Sequence, residues 1–117
     1  MVEIFVLILL AQDVRIIDGD TVEIDAEIIR LENIDTPERG GRAECDAERM
    51  LAETATRQLT QILAIGEVTI ERSGEDRYGR TLARVFVDGL DAGELLVERG
   101  VAVRWEGRRH DWCGDHQ

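Results

Sequence analysis

The sequence predicts an α+β domain with a five-stranded β-barrel and two helices. Residues with high β-propensity fill three short segments between positions 14 and 34. The apolar period then changes to that of a helix over residues 46–65. Two further strands and a second, short helix follow. Three strands in a meander, a helix and a second hairpin are the element order of an OB-type barrel.

The three N-terminal strands are separated by turn residues. Val14–Ile17 is predicted to be the first strand, and it runs into a turn at Asp18-Gly19. Thr21–Ile24 and Glu27–Ile34 flank a short turn at Asp25-Ala26. The second and third strands are therefore expected to form a hairpin.

The longer helix is predicted over Asp46–Ile65, after a glycine-containing loop at Arg39–Ala43. Asp46 is the expected N-cap, and Gly66 is the expected residue after the C-cap. The predicted apolar face consists of residues at helical spacing, namely Ala47, Met50, Leu51, Ala55, Leu59, Ile62 and Leu63.

The second half of the chain contains a hairpin, a short helix and an extended segment. Glu67–Arg72 and Arg80–Val87 are predicted strands on either side of the polar loop Ser73–Gly79. Asp91–Arg99 is a predicted helix, because it begins with a capping-box pattern and is followed by a glycine. Val101–Trp105 is expected to be extended.

The composition indicates one acidic domain. The 117 residues contain no visible repeat or linker, so residues 14–117 are predicted to form a single domain after an apolar segment at 1–13. Acidic residues outnumber basic ones 25 to 14, which gives a formal charge of −11. This charge argues against a large basic surface for nucleic acid, but it permits a compact site with a metal ion and a few arginines.

Ile4–Ala11 is a continuous apolar run that is too short to span a bilayer. No Lys or Arg precedes it, so it is a poor signal peptide as it stands. Two interpretations stay open. It is either the remnant of a signal sequence that begins upstream, or a first buried strand.

Three motifs contain the residue types that hydrolytic chemistry uses. They are Asp18-Gly19-Asp20-Thr21-Val22, then Arg30-Leu31 with Ile34-Asp35-Thr36-Pro37-Glu38, and finally Asp76-Arg77-Tyr78-Gly79-Arg80. Each motif alone is explained by ordinary turn chemistry. Pro37 biases Thr36 toward an extended conformation, which holds its carbonyl and the flanking carboxylates in a fixed array.

In this order, the series DGDTV, RL…IDTPE and DRYGR closely resembles the signature of the thermonuclease (staphylococcal-nuclease-like) family. The segment from Leu95 to Ala102 extends the likeness, which runs from about Val14 to Ala102. The resemblance implies a nuclease that uses Ca²⁺ to hydrolyse phosphodiester bonds of DNA, RNA or both. It also implies a metal site in which Asp20 and Asp35 supply carboxylates and Thr36 supplies its backbone carbonyl. A hard cation prefers such oxygen ligands.

The resemblance further implies three catalytic residues. Glu38 matches the carboxylate that positions or deprotonates the attacking water, and Arg30 and Arg80 match the arginines that grip the scissile phosphate. Arg77 and Tyr78 match positions that contact the terminal phosphate or the nucleotide. For each arginine, the alternative is a surface ion pair, which is easily formed in so acidic a chain.

The C-terminal part departs from this pattern. Only Glu106–Gln117 follows the last predicted strand, so the third helix of the best-known members is absent or replaced by a short tail. Their aromatic residues near the C-terminal strand are not matched, although Trp105 lies nearby. The departures leave open which nucleic acid is preferred.

Cys45 and Cys113 are the only cysteines, and a disulfide between them would close a long loop. A disulfide would suit a secreted or periplasmic enzyme, or one anchored in a membrane through a longer native N-terminus. Free thiols are one alternative. The other is a zinc site that combines His110, Cys113 and His116 with Cys45.

Two other functions stay open at this point. One is a non-catalytic OB-type module that binds nucleic acid or protein, and the other is a protein-interaction domain favoured only by the net charge. The intact set of motif carboxylates and arginines favours the nuclease, which we expect to act as a monomer.

Overall fold

The computed structural model describes residues 12–114, so the apolar run Ile4–Ala11 lies outside the described residues. Helix α1 spans Asp46–Leu63 and helix α2 spans Ala92–Glu98, with a short 3-10 helix at Gly40–Arg42. The strands are β1 (Val14–Asp18), β2 (Thr21–Ile24), β3 (Glu27–Leu31), β4 (Ile34–Asp35), β5 (Val68–Glu75), β6 (Thr81–Val87), β7 (Leu90–Asp91) and β8 (Val103–Arg104).

The predicted α+β class with two helices is confirmed. The main sheet has the strand order β1-β2-β3-β6-β5, in which β3 and β6 are parallel and the other neighbours are antiparallel. β7 pairs antiparallel with the end of β6, and β4 pairs with β8 in a separate two-stranded sheet. Over residues 12–114 the main sheet is open rather than a closed barrel, with β1 and β5 at its edges.

The two edges nevertheless meet at one point. The side-chain amide of Gln12 donates to the carbonyl of Val68 at 3.0 Å and accepts from the N–H of Val68 at 3.2 Å. One side chain therefore satisfies both backbone groups of a β5 residue, as a neighbouring strand would. A single side-chain contact does not form a ladder between β1 and β5, so within residues 12–114 the sheet does not close into the predicted barrel.

The predicted strand Glu27–Ile34 is divided in two. β3 ends at Leu31, and after a two-residue turn the chain continues as β4, which pairs with β8 through Ile34 opposite Arg104 and Asp35 opposite Val103. The partner of β4 comes from the far end of the sequence, so the local pattern could not reveal the break.

The predicted N-cap of α1 was wrong by one residue. Cys45 is the N-cap, because its backbone is extended and its Sγ accepts the N–H of Glu48 at 3.4 Å. Asp46 is the first residue inside the helix.

The predicted role of Gly66 was also wrong. α1 ends at Leu63 with Ala64 as its C-cap, and Gly66 has no positive φ. A Cβ atom at Gly66 would overlap the carboxylate of Asp88, and that carboxylate accepts the N–H of Glu67. A larger residue would displace this carboxylate, so close packing rather than helix termination favours glycine at this position.

The buried face of α1 differs from the predicted face in its first turn. Ala47 is exposed and Met50 is 72% exposed. The buried stripe begins one residue later at Glu48 and continues through Ala52, Ala55, Leu59, Ile62 and Leu63. This stripe follows the helical period, but its first member is a carboxylate, which an apolar count does not include.

The core lies between α1, α2 and the main sheet. β2 to β6 contribute their inward-facing residues, β1 packs Val14 and Ile16 against them, and α2 contributes Ala92 and Leu96. α2 ends in a Schellman motif, in which the N–H of Val101 reaches the carbonyl of Leu96 and Gly100 has a φ of 78°. Neither helix in residues 12–114 combines the length and apolarity needed to cross a bilayer.

The chain after β8 is tied back to the start of α1. Residues 105–114 contain neither helix nor strand. The Cys45 and Cys113 sulfurs lie 2.00 Å apart and the two Cα atoms 6.2 Å apart, which is a disulfide. Neither sulfur is then a thiolate for zinc, and His116 of the alternative zinc site lies outside the described residues.

Glu27 joins three strands of the main sheet and supplies a pH-dependent stabilisation. Its carboxylate accepts two hydrogen bonds from Arg72 at 2.9 and 2.5 Å and one from Thr81 at 2.7 Å. The hydrogen bonds from Arg72 and then Thr81 lower the pKa of Glu27 to about 2, from 4.5 in an unfolded chain. The stabilisation is therefore complete above pH 4.5 and is lost as the pH falls toward 2.

We expect Glu27→Gln to be less stable than the wild type at pH 7 and to approach it as the pH falls below 4. Urea unfolding from pH 7 to pH 2.5 measures the difference. Glu71→Gln is the control, because Glu71 is an exposed β5 carboxylate that forms no ion pair within the described residues. A Glu27→Gln difference that stays constant with pH would contradict this prediction.

The disulfide should stabilise the fold, and its presence can be tested directly. It joins residues 68 positions apart, and closing a loop of this length stabilises the folded chain by about 4 kcal/mol. Mass spectrometry of the unreduced protein should give a mass lower by two hydrogen atoms than that of the reduced protein. Titration of two thiols in the unfolded, unreduced chain would show that the bridge is absent.

Candidate active site

The turn between β1 and β2 lies directly against the second motif. A Cβ atom at Gly19 would lie 3.0 Å from the hydroxyl of Thr36 and 2.9 Å from the Cβ of Ala55. Only glycine fits this contact without a shift of its neighbours. Gly19 therefore lets the turn that carries Asp18 and Asp20 dock onto the segment that carries Thr36.

Asp20, a predicted metal ligand, is 9% exposed. One of its carboxylate oxygens accepts the hydroxyl of Thr21 at 3.0 Å, and the other lies 3.6 Å from the Arg30 guanidinium. Its backbone carbonyl accepts the N–H of Leu31 at 2.8 Å. The side chain is thus fixed by its own strand and by β3.

Asp35 and Thr36 leave the small β4–β8 sheet toward the same site. Asp35 is 3% exposed, and one of its oxygens accepts the backbone N–H of His110 at 2.9 Å. Thr36 is also buried. The Arg30 guanidinium that reaches Asp20 also donates to the carbonyl of Ile34 at 3.0 Å, so one side chain spans both predicted metal-ligand segments.

Glu38, the predicted base, is held at both its backbone and its side chain. Its N–H donates to the buried carboxylate of Glu48 at 2.8 Å. Its carboxylate accepts a hydrogen bond from Arg109 at 2.6 Å and lies 3.7 Å from Arg42. Glu38 lines an open cleft of about 550 Å³ together with Asp18.

Acidic side chains lie close together at this cleft. Burial raises the pKa of Asp18 to about 7, and the neighbouring charges of Asp20 and Glu38 act in the same direction. From its sequence context, Asp18 was predicted only as a turn residue. Its spacing from Asp20 was the available signal that it joins the site.

The two predicted catalytic arginines lie beside the cleft. Arg30 and Arg80 line a common pocket of about 420 Å³ with Trp105, and the Arg30 guanidinium lies 5.7 Å from the Trp105 ring centre. Arg80 also lines the cleft that contains Glu38. Its Nε donates to Asp76 at 2.6 Å, which fixes its direction at the end of the turn before β6.

Arg77 and Tyr78, the predicted substrate contacts, lie on the rim. Tyr78 is 71% exposed, and the guanidinium groups of Arg77 and Arg80 lie 5.2 and 5.7 Å from its ring centre. Tyr78 lines a small pocket with Arg42 and Arg80. The structure therefore places every predicted site residue within or beside one region of the surface.

Two residues at this site were missed by the sequence analysis. Glu48 lies on the inner face of α1, and Arg109 reaches it from the tail at 2.9 Å. The only local signal for Glu48 was its position three residues after the N-cap Cys45. Arg109 gave no signal, because an arginine in a polar tail normally lies in solvent.

The carboxylate oxygens of Asp20 and Asp35 are suitable ligands for a hard cation. Asp20 and Asp35 are buried carboxylates on segments that touch each other, and burial close to the carboxylates of Asp20 and Glu38 raises the pKa of Asp18. Within residues 12–114, no three His, Cys, Asp or Glu side chains surround a metal position by themselves. A bound ion would therefore also use a backbone carbonyl and water.

Comparison with known proteins is consistent with this geometry. Residues 28–116 match the model of the family described as staphylococcal nuclease homologue. An uncharacterised endonuclease of Escherichia coli is 34% identical over 98 residues, which cover 80% of this chain and 59% of that protein. The succinoglycan biosynthesis protein ExoI of Rhizobium meliloti is 37% identical over 98 residues, with 75% and 48% covered.

A micrococcal nuclease of Shigella flexneri is 38% identical over 77 residues, which cover 62% of this chain and 40% of that protein. The chain thus spans about three fifths or less of the length of these relatives. The family match covers more than half of this chain and includes Arg30, Asp35, Glu38 and Arg80. This chain belongs to the family of staphylococcal nuclease homologues.

Proposed function

We propose that this chain is a metal-dependent nuclease that hydrolyses phosphodiester bonds of DNA, RNA or both. The observation that carries the proposal is the arrangement around one open cleft. The buried carboxylates of Asp20 and Asp35 lie beside the fixed Arg30, and Glu38 and Arg80 line the cleft. Relatives named as endonuclease or micrococcal nuclease support the same reaction class.

Asp20, Asp35 and the backbone carbonyl of Thr36 are the residues that would hold Ca²⁺. When bound, the ion would supply positive charge beside the scissile phosphate and would make water a better nucleophile by lowering its pKa. The carboxylates are already buried and oriented by Thr21, Arg30 and the His110 N–H, so little ordering is left to occur on binding.

Glu38 would accept the proton of the attacking water as the oxygen–phosphorus bond forms. The opposite phosphorus–oxygen bond then breaks in line with the attack. Arg30 and Arg80 would neutralise the charge that develops on the non-bridging phosphate oxygens. Their anchoring by the Ile34 carbonyl and by Asp76 means that both guanidinium groups are oriented before the substrate arrives.

As a nuclease, this acidic chain must also bind a polyanionic nucleic acid. Its formal charge of −11 opposes long-range attraction of nucleic acid. Arg39, Arg42 and Arg80 line the cleft, and they would provide local positive charge at the point of contact. We therefore propose recognition by a few arginines at the cleft rather than by an extended basic surface.

The disulfide also supports a location. Disulfides persist in oxidising compartments, so we propose that this domain acts outside the cytoplasm, either secreted or in a periplasm. We further propose that it acts as a monomer, because Glu38 and Arg80 already meet at one cleft within the chain.

Metal removal tests the reaction class. We expect cleavage of single-stranded DNA with Ca²⁺ present and none with excess EDTA, with activity restored by added Ca²⁺. A fluorogenic oligonucleotide provides the measurement, and Mg²⁺ is tested in parallel. Full activity in EDTA would contradict the metal assignment. Tight binding without cleavage under every condition would instead indicate a non-catalytic binding module.

Substitutions at the cleft should affect different steps. Arg80→Ala should lower kcat by at least ~10²-fold, the scale of losing one strong charge-stabilising donor. Glu38→Gln should also lower kcat with little change in Ca²⁺ affinity, whereas Asp20→Ala should weaken Ca²⁺ binding itself. Single-turnover kinetics and calorimetry measure the two effects.

Arg57→Ala is the matched control for these variants, because among residues 12–114 the Arg57 guanidinium donates only to Thr54, on the outer face of α1. It should retain the wild-type kcat. Wild-type kcat in both Arg80→Ala and Glu38→Gln would show that the cleft is not the catalytic centre.

A further inference from the structure

The tail that follows β8 folds back over the candidate active site. Two consecutive residues of this tail reach the predicted catalytic machinery. The backbone N–H of His110 donates to Asp35 at 2.9 Å, and the guanidinium of Arg109 donates to Glu38 at 2.6 Å and to Glu48 at 2.9 Å. In the sequence, Arg109 lies 71 positions from Glu38 and 61 positions from Glu48.

Glu38, Glu48 and Arg109 form a closed ring of hydrogen bonds. The Glu38 N–H and the Arg109 Nη2 both donate to the same oxygen of Glu48, and the Arg109 Nη1 donates to Oε2 of Glu38. Glu38 is thus held at its backbone by Glu48 and at its carboxylate by Arg109. The planar guanidinium suits this bridge, because its two terminal nitrogens reach two acceptors at once.

Glu48 is a strong anchor for this ring. It is 1% exposed, and its second oxygen accepts the N–H of Glu44 at 2.9 Å. Burial alone would raise the pKa of Glu48, but the N–H groups of Glu44 and Glu38 and the Arg109 guanidinium outweigh burial and lower it. The anchor is therefore a fixed anion rather than a neutral acid.

The disulfide holds Arg109 at this anchor. Arg109 is 40% exposed, and an ion pair this exposed would not by itself order a tail without secondary structure. Cys113 fixes the tail to Cys45, which is the N-cap of α1 and accepts the N–H of Glu48. The tether thus ends on the same helical turn that carries the anchor.

We infer that Arg109 is a positioning residue of the nuclease: it orients the carboxylate of Glu38, with Glu48 as its buried anchor and the Cys45–Cys113 bridge as its tether. This inference rests on the proposed function. With Oε2 of Glu38 bonded to Arg109, Oε1 is the oxygen that accepts the proton of the attacking water. Arg109 acts through Glu38 and touches neither water nor phosphate.

The test compares Arg109→Ala and Arg109→Lys with Arg108→Ala in the oxidised, full-length chain. Arg108 is the adjacent exposed arginine, and in residues 12–114 it forms no ion pair, so its variant should keep the wild-type kcat. Arg109→Ala should lower kcat by about 10- to 100-fold, because a misplaced catalytic group costs this much. KM for the oligonucleotide should not change, and the Kd for Ca²⁺ should not rise, because the charge of Arg109 lies near Asp35. A lysine offers one ammonium in place of the fork, so Arg109→Lys should recover only part of the loss.

A double-mutant cycle distinguishes positioning from general structural damage. In a Glu38→Gln background, Arg109→Ala should cause no further loss of kcat, because Arg109 acts only through the Glu38 carboxylate. Reduction of the wild type with a phosphine should release the tail and lower kcat at least as much as Arg109→Ala does, because the His110 N–H then also leaves Asp35. Reduction also provides the test if the variant does not fold.

Several results would overturn the inference. They are a wild-type kcat in Arg109→Ala, a loss confined to KM, or an undiminished loss in the Glu38→Gln background. Higher activity of Arg109→Ala at low Ca²⁺ would show that the guanidinium competes with the ion. A wild type that binds but never cleaves DNA would refute the nuclease function and this inference with it. Wild-type cleavage with an unchanged Arg109→Ala would refute the inference alone.

Discussion

The buried carboxylate of Glu48 is the interaction on which the organisation of the site depends. It accepts donors from three separate segments, which are the loop after β4 through Glu38, the residue Glu44 ahead of α1, and the tail through Arg109. A buried anion is tolerated only when its lone pairs are satisfied. Loss of Glu48 would leave these donors without a partner, so the loop, the helix start and the tail are energetically linked.

The site also illustrates how an acidic protein can be built to act on a polyanion. Opposite charges are arranged locally. Asp18, Asp20 and Asp35 form an acidic end of the site, and Arg30 and Arg80 are held beside it by carbonyl and carboxylate partners. A cation at the acidic end would turn an unfavourable concentration of charge into a binding site for phosphate. The net charge then governs the rate of encounter more than the chemistry.

A covalent link, rather than apolar burial, holds the tail of residues 105–114 beside α1. Residues 105–114 form no helix, and most of their side chains are exposed. The Cys45–Cys113 bridge lowers the entropy of the unfolded chain, and it places the tail beside α1 without requiring a further hydrophobic surface. A short segment can therefore contribute contacts to Asp35 and Glu38 that would otherwise be too weakly held to persist.

The sequence by itself determined the α+β class, the order of the strands and helices, and the motif residues, because each of these is encoded in local periodicity, turn chemistry and short spacing. The tertiary structure alone decided that β3 and β4 are separate strands and that Arg109 contacts Glu38. The partners in these cases lie as many as 71 positions apart. A local pattern holds no record of such distances, since the chain brings those residues together only when the core forms.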